Sequence, residues 1–212
     1  MLRCFGGMSV MVLLAAFMAG CSARSATPGF QPATLARQWP DRVEFRHKVR
    51  LEVPGMTVPG SFDGIMRLEN NGGKPSIHVL GHGGMGLTLF DMTVTPDETS
   101  TAYLHPSLAR VPHIEEHISR CVTSVWFDSL SLAARNGRTG REQFREEHRG
   151  RVVEHIFSDG RPELSCAPDH GWTVRLSAER PWPKSMRFEN LNPEYTVHIR
   201  LIAPRTVEAR KD

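Results

Sequence analysis

Hydrophobic and polar residues alternate almost without exception between residues 42 and 53, and this is the clearest pattern in the chain. An alternation with a period of two places the two sets of side chains on opposite faces of a β-strand. One face is then buried while the other stays in water. The residues of the buried set are Val43, Phe45, His47, Val49, Leu51 and Val53.

Shorter strand patterns follow, with turn residues between them. They predict an antiparallel meander in which each strand pairs with the next. The strands predicted after the first are 60–69, 76–81, 87–95 and 100–104. Residues 131–150 are rich in charge and predict a loop with a short helix. Strand patterns return at 151–158, 172–178, 185–189 and 195–202.

The period of the apolar residues changes between residues 113 and 127, where it becomes that of an amphipathic helix. Pro112 suits the first turn of such a helix. A helix between two groups of strands predicts a mainly β (α+β) domain, in which a curved antiparallel sheet holds the helix against its concave face. The residues of the helical stripe are Ile114, Ile118, Cys121, Val122 and Val125.

Residues 1–20 have the composition of a secretory signal segment. Arg3 is the only charged residue among them, and the apolar stretch 10–19 is too short to span a bilayer. The small residues directly before Cys21 resemble a lipobox, in which the cysteine is acylated and becomes the mature N-terminus. An ordinary signal peptide followed by a chance cysteine is the alternative. Ser22 stands where an Asp would retain a lipoprotein in the inner membrane, so the resemblance implies the outer membrane, facing the periplasm.

The lipobox divides the chain into three parts. These are a lipoprotein signal peptide (1–20), the acylated Cys21 with a flexible tether (21–38), and one domain (39–212) that is long enough to bury a core. We expect the membrane to be a partner through the N-terminal acyl chains.

Charge and cysteine content narrow the expected partners and redox state. The net charge of +3 falls by one unit when Arg3 leaves with the signal peptide, and the remaining charges are interleaved along the strands. We therefore expect no nucleic-acid partner. Cys121 and Cys166 remain in an oxidising compartment, where they can either form one disulfide or stay as buried thiols.

Two segments carry a family resemblance, 62–68 (FDGIMRL) and 80–91 (LGHGGMGLTLFD). Together with the lipobox, the amphipathic first strand and the central helix, they resemble an uncharacterised bacterial lipoprotein family, a domain of unknown function. That family is related to the LolA/LolB outer-membrane lipoprotein carriers and receptors. The resemblance covers residues of about 40–203 and is one of pattern more than of fixed motif.

The resemblance implies an unclosed β-barrel whose helix covers an apolar cavity for a lipid or an acylated molecule. It also implies that the loop after the third strand contacts the membrane, with Met85 at its tip and Leu87 beside it. Alternatively, the loop is a tight turn and Met85 folds back into the core. The side chains that would line the cavity are Ile114, Ile118, Val122, Val125, Val49 and Leu51.

Candidate catalytic and metal residues are few. His113 and His117 have a spacing that can bind zinc, but they lack the glutamate of the zinc-protease motif and a third ligand, which favours a solvated helix face. Residues 81–84 resemble the oxyanion loop of esterases, but no nucleophile elbow accompanies them. We therefore expect no metal, no cofactor and no enzymatic activity.

These observations leave more than one hypothesis for the function. The first is an outer-membrane lipoprotein, expected to be a monomer, that binds a lipid or acylated molecule and assists its placement in the membrane. The second is a structural or assembly lipoprotein with a filled core that acts as a protein-interaction module. The third is a periplasmic hydrolase with polar groups clustered around His82, Asp91 and His105.

Overall fold

The structure is a computed structural model that describes residues 31–32, 37–54, 60–179 and 181–205. The signal peptide and the predicted acylation site Cys21 lie outside these residues. The described strands are β1 (Gln31–Pro32), β2 (Arg42–Glu52), β3 (Gly60–Asn71), β4 (Lys74–His82), β5 (Thr88–Val94), β6 (Thr99–Leu104), β7 (Arg141–His148), β8 (Arg151–Ser158), β9 (Arg161–Ala167), β10 (Trp172–Leu176), β11 (Ser185–Leu191) and β12 (Glu194–Arg205).

All described strands belong to one sheet in the order β1-β7-β8-β9-β10-β11-β12-β2-β3-β4-β5-β6. Neighbouring strands are antiparallel, except that β1 runs parallel to β7. The sheet has two free edges, at β1 and β6, so it curves without closing into a barrel. This confirms the predicted mainly β fold with an unclosed antiparallel sheet.

The helical segment between β6 and β7 lies against this sheet. A short helix α1 (Pro106–Ala109) precedes α2 (Ile114–Val122), and a π-helical segment (Thr123–Leu130) continues directly from α2. The sequence pattern predicted a helix over 113–127 but not its change of pitch. Ser131 donates its backbone N–H to the carbonyl of Trp126 at 3.0 Å, which is the wider hydrogen-bond spacing of a π-helix.

Two strands differ from the prediction. The prediction of a loop with a short helix over residues 131–150 was wrong for β7, which has one apolar inward residue, Phe144, beside the buried charge of Glu146. Strand β9 was missed because Leu164, Ser165, Cys166 and Ala167 are all buried and therefore show no alternation.

The core lies between the concave face of the sheet and the helical segment. Trp126 from the π segment contacts Phe45 of β2 with ring centroids 5.5 Å apart, and Trp182 packs edge-on against Phe45 at 5.1 Å. Aromatic pairs at this spacing stabilise the fold beyond the burial of their area. Phe45 is therefore packed between Trp126 of the π segment and Trp182, which fixes the π segment to β2.

One buried position depends on a glycine. His47 points inward from β2 and is 2% exposed, and it lies directly opposite Gly64 of β3. A Cβ atom at Gly64 would lie 2.4 Å from Nε2 of His47, so a larger residue would displace the imidazole. Burial lowers the pKa of His47 to about 4.

This pKa predicts a loss of stability in mild acid. Because the folded-state pKa lies below the ordinary value of about 6.5, the unfolded chain binds the proton first and stability falls as pH drops from about 6.5 to 4. We expect a loss of about 3 kcal/mol in the free energy of unfolding over this range. Urea titrations at several pH values measure it.

His47→Leu should flatten part of that pH dependence, whereas His170→Gln, at an exposed histidine, should leave it as in the wild type. A residual slope is expected because burial also lowers the pKa of His148 to about 4. An unchanged slope in His47→Leu would contradict the assignment.

Candidate functional site

The loop between β4 and β5 is the part of the predicted site that the structure describes most directly. Gly83 donates its N–H to the carbonyl of Leu87 at 2.7 Å, and Leu87 donates to Gly84 at 3.4 Å. Between them Met85 has φ 58° and ψ 24°, the left-handed region. A non-glycine residue there costs about 1–2 kcal/mol. The hydrogen bonds close the loop and hold Met85 at its tip.

Met85 is fully exposed and Leu87 is 49% exposed. The loop is therefore not a turn whose methionine folds back into the core. A flexible, polarisable thioether side chain adapts to irregular apolar surfaces. The contact of this loop with a membrane stays a prediction.

The residues predicted to line a cavity lie in or at the edge of the core. Val49, Val122 and Val125 are buried, Ile118 and Leu51 are half-buried against the core, and Ile114 is half-buried. Surface depressions of about 540 Å³ and 470 Å³ lie elsewhere among the described residues, and only Val49 borders one of them. The role of these side chains in binding lipid stays a prediction.

The two parts of the helical segment are held very differently. Every residue of the π segment from Thr123 to Ser129 is buried. The polar contacts of α2 with the sheet are few: Ser119 Oγ lies 2.6 Å from Thr99 Oγ1, Arg120 donates to Asn190 at 3.3 Å, and Tyr195 donates to the His117 carbonyl at 3.4 Å. Helix α2 is therefore the more weakly held part of the cover.

A buried charge network, which the sequence did not predict, fixes the π segment to β7. The guanidinium of Arg37 pairs with the carboxylate of Glu146, which is 6% exposed. The same guanidinium donates to the carbonyl oxygens of Phe127 and Asp128 at 3.1 and 3.3 Å. Arg37 thus pairs with the Glu146 carboxylate of β7 and donates hydrogen bonds to the backbone of the π segment at the same time.

Asp128 is the second buried acid of this region, with 1% of its side chain exposed. Its carboxylate lies 3.3 Å from Arg151, 3.6 Å from His148 and 3.8 Å from Arg149. Burial raises the pKa of Asp128, and the positive charges of the arginines oppose that shift. The sequence analysis placed Arg149 in a charged loop region and Arg151 at the start of a strand, with no signal that they surround an acid from another element.

Glu146 also belongs to a chain of hydrogen-bonding groups on the concave face. His155 Nε2 lies 3.1 Å from Glu146, and its Nδ1 lies 2.8 Å from Ser165 Oγ. The residue types match a hydrolase triad, but His155 and Ser165 are both fully buried. A substrate cannot reach Ser165 without opening the sheet or the π segment, so this arrangement acts as a structural network.

His113 and His117, the two histidines with zinc-binding spacing, make contacts with different residues. His113 lies before the helix and its Nδ1 is 3.3 Å from Glu116, whereas the His117 ring packs against Tyr195 with centroids 5.2 Å apart. Within the described ranges, no group of three or more side chains is arranged to hold a metal ion.

The residues of the hydrolase hypothesis make other contacts. Asp91 lies 2.6 Å from Nε2 of His78, and His105 caps α1 by accepting from the backbone N–H of Ser107 at 3.2 Å. His82 ends β4 at the base of the Met85 loop. These contacts give Asp91 and His105 roles in strand pairing and helix capping.

Both cysteines of the domain are buried, and no disulfide bond joins Cys121 to Cys166 in the described part of the chain. Burial raises the pKa of the Cys121 thiol to about 12, which keeps it protonated and unreactive at neutral pH.

Parts of the predicted tether contact the domain. Gln31–Pro32 pairs with β7, and Gln38 donates its N–H to the carbonyl of Ser131 at 2.7 Å. Trp39 packs against Phe127 of the π segment with centroids 4.8 Å apart. The boundaries at residues 20 and 38 stay predictions. In the ranges that are described, no helix is long and apolar enough to cross a membrane.

Solved structures with a similar arrangement exist. One is, by its given name, an outer membrane lipoprotein-sorting protein domain from Vibrio parahaemolyticus, with a TM-score of 0.42 and 8% identity over 80% of this chain and 87% of that chain. Another is a DUF1329 family protein from Desulfovibrio piger, with a TM-score of 0.40 and 9% identity over 81% and 88%. No protein-family model and no curated protein matches the chain.

The charge network predicts a large effect of losing one partner. Arg37→Met should lower the free energy of unfolding by about 3 kcal/mol, because the Glu146 carboxylate would stay buried without its cation. The double variant Arg37→Met/Glu146→Gln should recover part of this loss. Denaturant unfolding of the single and double variants gives the coupling energy, and a coupling of zero would contradict a shared network.

Proposed function

We propose that the chain is an outer-membrane lipoprotein, anchored by acyl chains on Cys21 and facing the periplasm, that binds a lipid or acylated molecule and assists its placement in the membrane. In this proposal it is not an enzyme. The observation that carries the proposal is the fully exposed Met85 at the tip of a hydrogen-bonded loop. An exposed apolar tip is costly in water and is useful where it meets an apolar phase.

The loop is suited to entering a lipid surface. Met85 and Leu87 are both exposed, and no charged residue lies between Gly83 and Leu87. Burying a side chain of this size gains about 1.5–3 kcal/mol. The hydrogen bonds among Gly83, Gly84 and Leu87 restrain the loop, which reduces the conformational entropy lost on contact.

The cargo would enter beneath α2 and not beneath the π segment. Helix α2 presents Ile114 and Ile118 half-buried at its edge, and few hydrogen bonds hold it to the sheet. An acyl chain that displaced α2 would replace these contacts with its own methylenes, each worth about 0.8 kcal/mol when buried. The π segment, buried along its length, would stay in place.

The packing of the core favours a second candidate function, a structural or assembly lipoprotein that acts as a protein-interaction module. Trp126, Phe45 and Trp182 fill the space where the resemblance implied a cavity. Such a protein would need no lipid cargo. Its surface, and not its interior, would carry the function.

Mass spectrometry of co-purified lipid separates the two candidates. The chain with Cys21→Ala, which cannot be acylated at that position, is purified from the periplasm, and the protein is measured both in its native state and after lipid extraction. A bound acyl species that decreases in Ile118→Glu supports the carrier. Complete absence of acyl species from the Cys21→Ala protein, with its Ile118→Glu variant folded as well, supports the interaction module.

Met85→Glu should impair the transfer of an acylated fluorescent probe from the protein to vesicles by about tenfold, because a carboxylate opposes insertion of the tip. Met85→Leu should retain transfer. Ile202→Glu is the matched control, since Ile202 is 53% exposed and lies on β12, three strands away from β4 in the sheet. Equal transfer by Met85→Glu and the wild type would exclude this role for the loop.

A further inference from the structure

The outward face of the sheet carries a basic groove that the proposed function does not use. It crosses β10, β11, β12, β2 and β3 and has a volume of about 540 Å³. The buried residues Val49, Leu176, Met186 and Ile199, which alternate with the polar ones along the strands, also line it. No acidic side chain lines it. The polar lining residues are Lys48, Arg50, Arg175, Arg187, His198, Arg200, Ser61, Ser177 and Ser185.

The cations of this basic groove face one another across the strands. Arg175 pairs directly with Arg187. On the next strand pair, Lys48 lies opposite Arg200. Directly opposed side chains have Cβ atoms about 4.5–5.5 Å apart, and like charges at that distance destabilise a sheet. The fold therefore holds an electrostatic cost here that an anionic ligand would remove.

Acidic residues relieve only part of this charge. Glu52 lies 3.2 Å from both Arg50 and His198, Glu189 lies 2.7 Å from Arg187, and Asp63 lies 3.3 Å from Lys48. Arg175 and Arg200 are exposed and have no acidic partner among the described residues. Both keep their guanidinium groups available, with several donors in a planar fork that matches phosphate oxygens.

We propose that the basic groove binds the phosphate of an anionic lipid headgroup at the membrane surface. The guanidinium groups of Arg175 and Arg200 would hold the phosphate oxygens, and the serine hydroxyls at the rim would contact the glycerol. The volume of the groove lies within the range of about 300–1,000 Å³ for small-ligand sites. The choice of a lipid as the source of the phosphate rests on the proposed function.

The position of the groove fits a lipid source. Lys48 lies opposite Asp63 of β3, which in turn lies opposite His82 at the base of the Met85 loop. Neighbouring strands are about 4.8 Å apart, so Lys48 is about 10 Å from that base. A membrane touched by Met85 would bring headgroups within reach of the nearest cations, and each cation near an anionic surface strengthens binding several-fold.

Vesicle sedimentation tests the proposal on the full chain carrying Cys21→Ala. The vesicles are phosphatidylglycerol mixed with phosphatidylcholine, or phosphatidylcholine alone, and the apolar segment 10–19 contributes to both alike. We expect tighter binding to the anionic vesicles, and we expect Arg175→Gln/Arg200→Gln to lose at least about tenfold of it. Because these arginines lack acidic partners, the variant should unfold at the same temperature as the wild type or a higher one. The control is Arg141→Gln/Arg145→Gln, which removes the same charge from exposed positions on β7.

The outcomes separate this proposal from the function of the loop. A groove variant that binds anionic vesicles like the wild type, or a control variant that loses as much, overturns the groove site even if Met85→Glu abolishes transfer. A groove variant that loses binding supports the site even if Met85→Glu has no effect. Binding of inorganic phosphate that is lost in the groove variant, while that variant binds anionic vesicles like the wild type, would make the ligand free phosphate and overturn the lipid source. Binding of duplex DNA or polyglutamate at the groove, with unchanged vesicle binding, would also overturn it.

Discussion

The rest of the fold depends on burial of the π segment Thr123–Leu130 against the concave face of the sheet. The sheet does not close, so its apolar inner face needs a cover. Trp126 and Phe127 supply the apolar contact. Arg37 neutralises Glu146 and donates its N–H groups to carbonyl oxygens of the segment. The hydrophobic contact provides most of the free energy, and the polar groups allow it because unpaired buried groups are costly.

Much of the fold could be predicted from the sequence, for a physical reason visible in β2. Its face towards the core and its face towards water differ at nearly every position, so the alternation is readable from one strand alone. Strand β7 carries an inward Glu146 whose charge is balanced by Arg37 from a distant part of the chain. A pattern within β7 cannot contain that information. The π geometry after Val122 was likewise unpredictable, since the apolar stripe continues through it.

One of the two candidate sites could be predicted from local sequence, and the other could not. The exposure of Met85 follows from local residues, because glycines flank it and leave it little to pack against. The basic groove does not, since Arg175, Arg187, Arg200 and Lys48 come from separate strands and are each interleaved with other residues. These basic residues are therefore dispersed along the sequence, and strand pairing brings them together on one face of the sheet.

The pairing of Gln31–Pro32 with β7 would limit how far the domain can move from its proposed anchor. The chain is already paired with β7 at Gln31, about ten residues after Cys21, and ten residues span at most about 35 Å. A domain confined to a shell of that radius meets the membrane at an effective concentration in the millimolar range. Contacts that would be too weak to hold a freely diffusing protein are then sufficient. Under the proposed function, such a short tether would allow the protein to touch and release lipid quickly without leaving its membrane.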